Sequence, residues 1–170
     1  MVYGPWSIDF SSMNREILLI AEKIKDTHQG DPWFGRNVQS ILSEINEDMA
    51  FRKISGQHSI LELLWHMITW KEFTVSRLRE DDKNMTYFES IDWRELDHSN
   101  RSLWQQGLER FNEIHNELVT LVQQQKDEIL SRTINERTYD FRKLLYGIIE
   151  HDIYHLGQIA YIKKLLSSKV

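Results

Sequence analysis

The chain has 170 residues and a net charge of −5, with seven glycines, two prolines and no cysteine. That length suits one domain over residues 1–170, large enough to bury a core without staples. The missing cysteine excludes disulfides, Cys-rich zinc sites and a cysteine nucleophile, so any sulfur chemistry needs a thiol from outside.

Leu, Ile, Glu, Gln and Lys are plentiful, which favours long helices. No segment alternates like a strand between tight-turn dipeptides, so the expected class is all-α. Ser11 or Ser12 can cap a first helix, followed by Met13, Ile17, Ile20 and Ile24 at helical spacing. Gly30-Asp31-Pro32 ends it. A short amphipathic segment with Val38, Ile41, Leu42, Ile45 and Met49 follows, an extra helix between the first and second long ones.

The second long helix is expected from about His58 to Arg79. Leu61, Leu63, Leu64, Trp65, Met67, Ile68, Trp70, Val75 and Leu78 cover more than half its circumference, marking a helix buried on several sides. Its polar residues, His58, Glu62, His66, Thr69 and Ser76, share one narrow stripe. Either that stripe is solvated or it lines an internal polar site. His66 lies near the middle, within reach of a neighbouring helix's midpoint.

Asp81 to His98 is a long connection with Tyr87, Phe88 and Trp93 embedded. A connection of this length has a task or a distance to cover, and here it would let the second and third helices run parallel. Packing is the preferred reading of its aromatics over covering a site mouth. Asp97 or Ser99 can start the third helix, whose seam is Trp104, Leu108, Phe111, His115, Leu118 and Val122. A lone histidine such as His115 on an apolar face is more often a hydrogen-bonded core residue than a ligand. Asp140 can cap the last helix, and the short turn before it makes the third and fourth helices antiparallel neighbours.

The last helix carries Glu150-His151-Asp152-Ile153-Tyr154-His155-Leu156-Gly157-Gln158-Ile159. At 3.6 residues per turn, His151 and His155 are rotated by roughly 40° and lie roughly 6 Å apart along the axis. They share a face with Leu144, Ile148, Ile159, Ile162 and Leu166, so two imidazoles interrupt a core stripe. An unpaired buried polar group costs on the order of 1–3 kcal/mol. Either a metal ion or side chains from neighbouring helices would satisfy the pair, and the two residues alone leave that open.

Ser59-Ile60-Leu61-Glu62-Leu63-Leu64-Trp65-His66, together with His151-Asp152-Ile153-Tyr154-His155-Leu156-Gly157-Gln158-Ile159, resembles the DinB/YfiT-like superfamily. The second stretch is similar to that family's HxxxHxGQ signature. The resemblance implies a four-helix bundle with up-down-down-up connectivity and a divalent metal, commonly zinc or nickel, held by His66, His151 and His155. It implies a homodimer, and enzymes that are thiol-dependent S-transferases acting on small electrophiles with a low-molecular-weight thiol. Other members are metal-dependent hydrolases.

Three imidazoles with an open fourth position suit catalysis, since structural zinc sites are closed by four protein ligands. Such a metal lowers the pKa of a bound water to about 7, serving a hydrolase, or holds a thiol as thiolate, serving a transferase. A metal-binding sensor or interaction module is the non-enzymatic alternative, favoured if His115 closed the fourth position. Glu62, one turn before His66, could orient its ring. Gln158 could bond a ligand or tie helices together, Gly157 suits close helix packing, and Tyr154 could donate a proton or only pack.

The acidic balance, without a basic stripe, argues against duplex DNA. No apolar run approaches the roughly 20 residues that span a bilayer, and the N-terminus shows no secretory pattern. The expectation is a cytoplasmic protein with a small-molecule substrate and neither nucleic-acid nor membrane partners.

Overall fold

A computed structural model describes residues 14–167, and every described regular element is helical. Four long helices dominate: α1 (Arg15–Gln29), α4 (Ile60–Arg79), α6 (Leu103–Gln123) and α7 (Phe141–Ser167). Between the first two lie the short α2 (Val38–Leu42) and α3 (Glu47–Phe51), and between α4 and α6 lies α5 (Met85–Ser90). A 3-10 turn, Asp127–Ser131, precedes α7. No described helix is long and apolar enough to cross a membrane.

Most helix starts follow from local chemistry. Ser59 and Glu62 form a reciprocal capping box at α4: the Glu62 N–H donates to Ser59 Oγ at 3.2 Å, and the Ser59 N–H donates to Glu62 Oε2 at 2.8 Å. Asp140 caps α7 as expected, accepting the Lys143 N–H at 2.9 Å. Ser11, Ser12 and Met13 lie outside the described residues. The open N–H groups of the first turn of α1, those of Glu16 and Ile17, are met instead by the Asp127 carboxylate, at 3.2 and 2.8 Å. A carboxylate more than a hundred residues away thus does the work of a local cap.

Two boundaries and one glycine differ from expectation. The amphipathic stretch after α1 is two helices, because Asn46 accepts the Met49 N–H at 2.9 Å and starts a new one. Asp97 caps a turn at Ser99 and Asn100, so α6 begins only at Leu103. Gly157 is no packing contact: a Cβ there would meet nothing within 4 Å. The close approach belongs to Gly107, where a Cβ would come within 2.9 Å of Leu64 Cδ2 and 3.2 Å of Trp65 Nε1.

Cross-contacts give the helix directions. Trp65 reaches the Leu103 carbonyl, Glu72 binds Arg110 and Glu117 binds Arg79, so α4 and α6 run the same way. The residues facing α4 along α7 run in reverse order, with His66 against His155 and Trp70, one turn on, against His151.

The core falls into two apolar clusters. One gathers Ile17, Ile20 and Ile24 with Phe73, Phe88, Leu118, Val122, Leu145 and Ile148. The other gathers Val38, Leu61, Leu64, Ile68, Trp104, Leu156 and Ile159. Along α4 and α7, polar side chains occupy the level where one cluster gives way to the other: His66 and Lys71, then His151, Asp152 and His155. His28 and His115 are buried there too, their rings stacked at 3.7 Å and 11°. His28 Nε2 also bonds Asn112 Oδ1 at 3.0 Å. Burial, with the nearby Lys71 charge, pushes His28 down to about 4 and His115 down to about 2.

Both imidazoles therefore stay neutral in the fold while an unfolded chain would protonate them below about pH 6.5. Their burial is neutral to stability above that pH and weakens the fold as the pH drops below it, by ~1.4 kcal/mol per pH unit for each ring. Thermal melting of metal-free protein should show Tm falling from pH 7 to pH 5, with a shallower fall in His115→Leu.

Candidate metal centre

His66 comes from the middle of α4, and His151 and His155, one turn apart, from the middle of α7. Antiparallel packing brings them together. His66 Nε2 is 3.0 Å from His151 Nε2, and His155 Nε2 is 3.1 Å from the same atom. All three ligating atoms lie within 4.8 Å of one another, and this is the one group of three or more His, Asp or Glu able to hold a metal among the described residues. Two of the rings are buried and His151 is half-buried.

The outer nitrogens explain the geometry. His66 Nδ1 donates to the Asp92 carbonyl at 3.4 Å and lies 2.7 Å from Asp92 Oδ1, the oxygen to which the Trp70 indole N–H donates at 2.7 Å. His155 Nδ1 donates to Gln158 Oε1 at 2.6 Å. With their protons on Nδ1, both rings present lone pairs from Nε2. Two lone pairs then face His151 Nε2, which carries at most one hydrogen. A cation between the rings would satisfy all three. Imidazole nitrogens about 2.0–2.1 Å from a tetrahedral ion sit about 3.3 Å apart, close to the spacing here. The donor set therefore fits a divalent metal.

The electrostatics agree. Burial lowers His66 despite the opposing pull of Asp92, and it lowers His155 despite Gln158. His151 is pushed down to about 3 by burial, then by its two histidine neighbours. Neutral imidazole is the ligating form. His151 Nδ1 is buried without a partner, so that ring alone lacks the outer hydrogen bond of the other two.

Other sequence candidates divide. Glu62 does not orient His66; it is spent on the capping box and on Lys53 at 2.7 Å, and Asp92 takes the orienting role. Gln158 holds the ring of His155. Tyr154 is exposed, its ring edge-on to His155 at 5.0 Å. His115 stacks on His28 and stays out of the group.

The long connection both packs and covers. Phe88 is fully buried, whereas Trp93 lies flat on His66 at 3.9 Å, with His58 on its other face at 3.8 Å. Asp92 had no sequence signal beyond its place beside Trp93. Two larger cavities adjoin the histidines, beside a small one of about 50 Å³ against His66, Asp92 and Trp93. One of about 290 Å³ runs past His151 between Trp70, Phe73, Tyr139 and Leu144. The other, about 270 Å³, lies past His155 between His58, Trp93, Tyr154 and Tyr161.

A family model described as the DinB superfamily matches residues 34–159, a span holding all three histidines, Asp92 and Gln158. The chain belongs to the DinB superfamily. No curated protein matches it.

If Asp92 holds His66 for a cation, Asp92→Asn should weaken metal binding about 10–100-fold, the usual cost of removing a ligand's hydrogen-bond partner. Competition with a chromogenic chelator measures this. Unchanged affinity would mean that the carboxylate serves the loop rather than the centre.

Proposed function

We propose that this DinB protein is a metal-dependent enzyme in which His66, His151 and His155 hold one divalent ion, zinc or nickel. A position on the ion stays open for an exchangeable small molecule. The observation that carries the reading is the convergence of three neutral imidazoles on one point with no fourth histidine or carboxylate in the group. When bound, the ion would act as a Lewis acid and favour the deprotonated form of a thiol or a water.

Within that frame we favour thiol-dependent S-transfer to a small electrophile. The chain has no cysteine, so the thiol would be a low-molecular-weight cosubstrate. The cytoplasm, where such thiols are kept reduced, is the proposed location. Asp92 and Gln158 hold two of the rings, Trp93 screens one side from water, and the apolar walls beside His151 receive the electrophile's carbon skeleton. Hydrolysis is the second reading. It calls for a free base, and the two carboxylates nearest His66 are engaged: Asp92 by His66 and Trp70, Glu62 by Ser59 and Lys53. A purely sensing role would leave the two cavities without a use.

A homodimer is also proposed. Exposed Tyr154, Tyr161 and Leu165 flank Gly157 on the outer face of α7, a stripe that suits a second copy.

Protein purified without a histidine tag should contain about one divalent metal per chain by elemental analysis, and His151→Ala should lose most of it. Metal-loaded protein should consume a small thiol in the presence of a generic alkylating electrophile, above the background of His151→Ala. Hydrolysis of activated esters without thiol consumption would favour the second reading, and neither activity the sensor.

A further inference from the structure

Below the histidines lies a charge pair that the centre does not use directly. Lys71 of α4 and Asp152 of α7 meet at 2.5 Å, with residue exposures of 1% and 4%. Burying two opposite charges is costly, and well-packed apolar residues in their place are often as stable or more so. The surroundings add no second anion. The Lys71 ammonium lies 5.1 Å from the Phe111 ring centroid, and its charge is felt by His28 and His115, both held neutral. Asp152 Oδ1 has no partner at all. Stability alone is a poor account of such a pair.

Position gives a better one. Asp152 follows His151 directly, and Lys71 lies five residues after His66, about 7.5 Å along α4 and about 140° around it. Most of the remaining surface between these helices is apolar: Leu61, Leu64, Leu156 and Ile159 share one cluster, and Phe73, Leu144 and Ile148 the other. Apolar burial is non-directional and by itself tolerates small axial shifts. A metal does not: its ligand distances hold within about 0.2 Å, and a slip of one residue moves a helix by about 1.5 Å.

We propose that Lys71 and Asp152 are positioning residues whose buried ion pair fixes the axial register of α4 against α7 and so holds His66 opposite His151 and His155. This rests on the metal reading above. A short, directional bond between charges is satisfied in one register only. With the histidine contact offset from it along and around α4, it limits both slide and roll.

The test replaces the pair rather than breaking it, since a lone buried charge would destabilise any fold. Lys71→Met/Asp152→Leu and the milder Lys71→Gln/Asp152→Asn are compared with wild type in three measurements. These are apo-protein melting, zinc affinity by chelator competition, and the visible spectrum of the cobalt(II)-loaded protein. The expected result is a folded apo-protein with Tm near wild type, zinc affinity at least tenfold lower, and a cobalt spectrum changed in band position or intensity. The milder pair should lie between. A folded variant with wild-type affinity and spectrum overturns the positioning role while leaving the metal site standing. Failure of both variants to fold also overturns it, making the pair a requirement of folding. A wild-type protein that binds neither zinc nor cobalt overturns the metal reading itself, and this proposal with it.

Discussion

Three imidazole nitrogens, two of them 3.0 and 3.1 Å from the third and all within 4.8 Å of one another, are the constraint around which this fold is built. Lone pairs so close repel unless something positive lies between them, and burial forbids the rings to solve the problem by taking up protons. The fold therefore carries a cost at its centre that it must offset elsewhere. It does so at its two ends, where separate apolar clusters bury the aliphatic and aromatic side chains of all four long helices. Each fully buried Leu, Ile or Phe contributes about 1.5–3 kcal/mol. Placing those clusters above and below leaves a middle layer free to hold groups chosen for chemistry.

That middle layer contains more than the three candidate metal ligands. The His28–His115 stack and the Lys71–Asp152 pair lie at the same level, and both are costly in isolation. Burial first, and the Lys71 ammonium second, keep His28 and His115 neutral, while Asp152 pairs that ammonium beside His151. A polar layer so connected responds as a unit, and a change at one member reaches the rest through charge as well as packing.

Much of this was legible in the residues, and the failures share a cause. A capping residue close in sequence, Asp140 before α7, marks a helix start because both partners lie within one turn. The four-residue spacing of His151 and His155 places them on one face by helix geometry alone. Reach across the fold is what the sequence hides. Asp127 caps α1 from the far side of α6, and Asp92 replaces Glu62 as the partner of His66, although Glu62 has the better spacing. Glu62 was already committed to its own helix start, and competition for one carboxylate cannot be judged before both claimants are located. Gly157 misled for the same reason: whether a glycine marks a close approach depends on what stands opposite, and here nothing does.

The connection from Asp81 to Ser102 joins topology to chemistry. Had α4 and α6 been linked by a short turn they would run antiparallel, and no segment would cross the face of α4 that carries His66. Because they run parallel, the chain must travel back along the molecule, and its path passes the histidines. At that crossing it sets down Asp92 against one ring and Trp93 flat on the same ring, with Trp70 of α4 anchoring the carboxylate. The segment has few regular hydrogen bonds of its own beyond α5, so its place is fixed by Phe88 in the core and by these contacts at the site. The strap and the ring are thus fixed by the same contacts: Asp92 against His66 and Trp70, and Trp93 flat on His66.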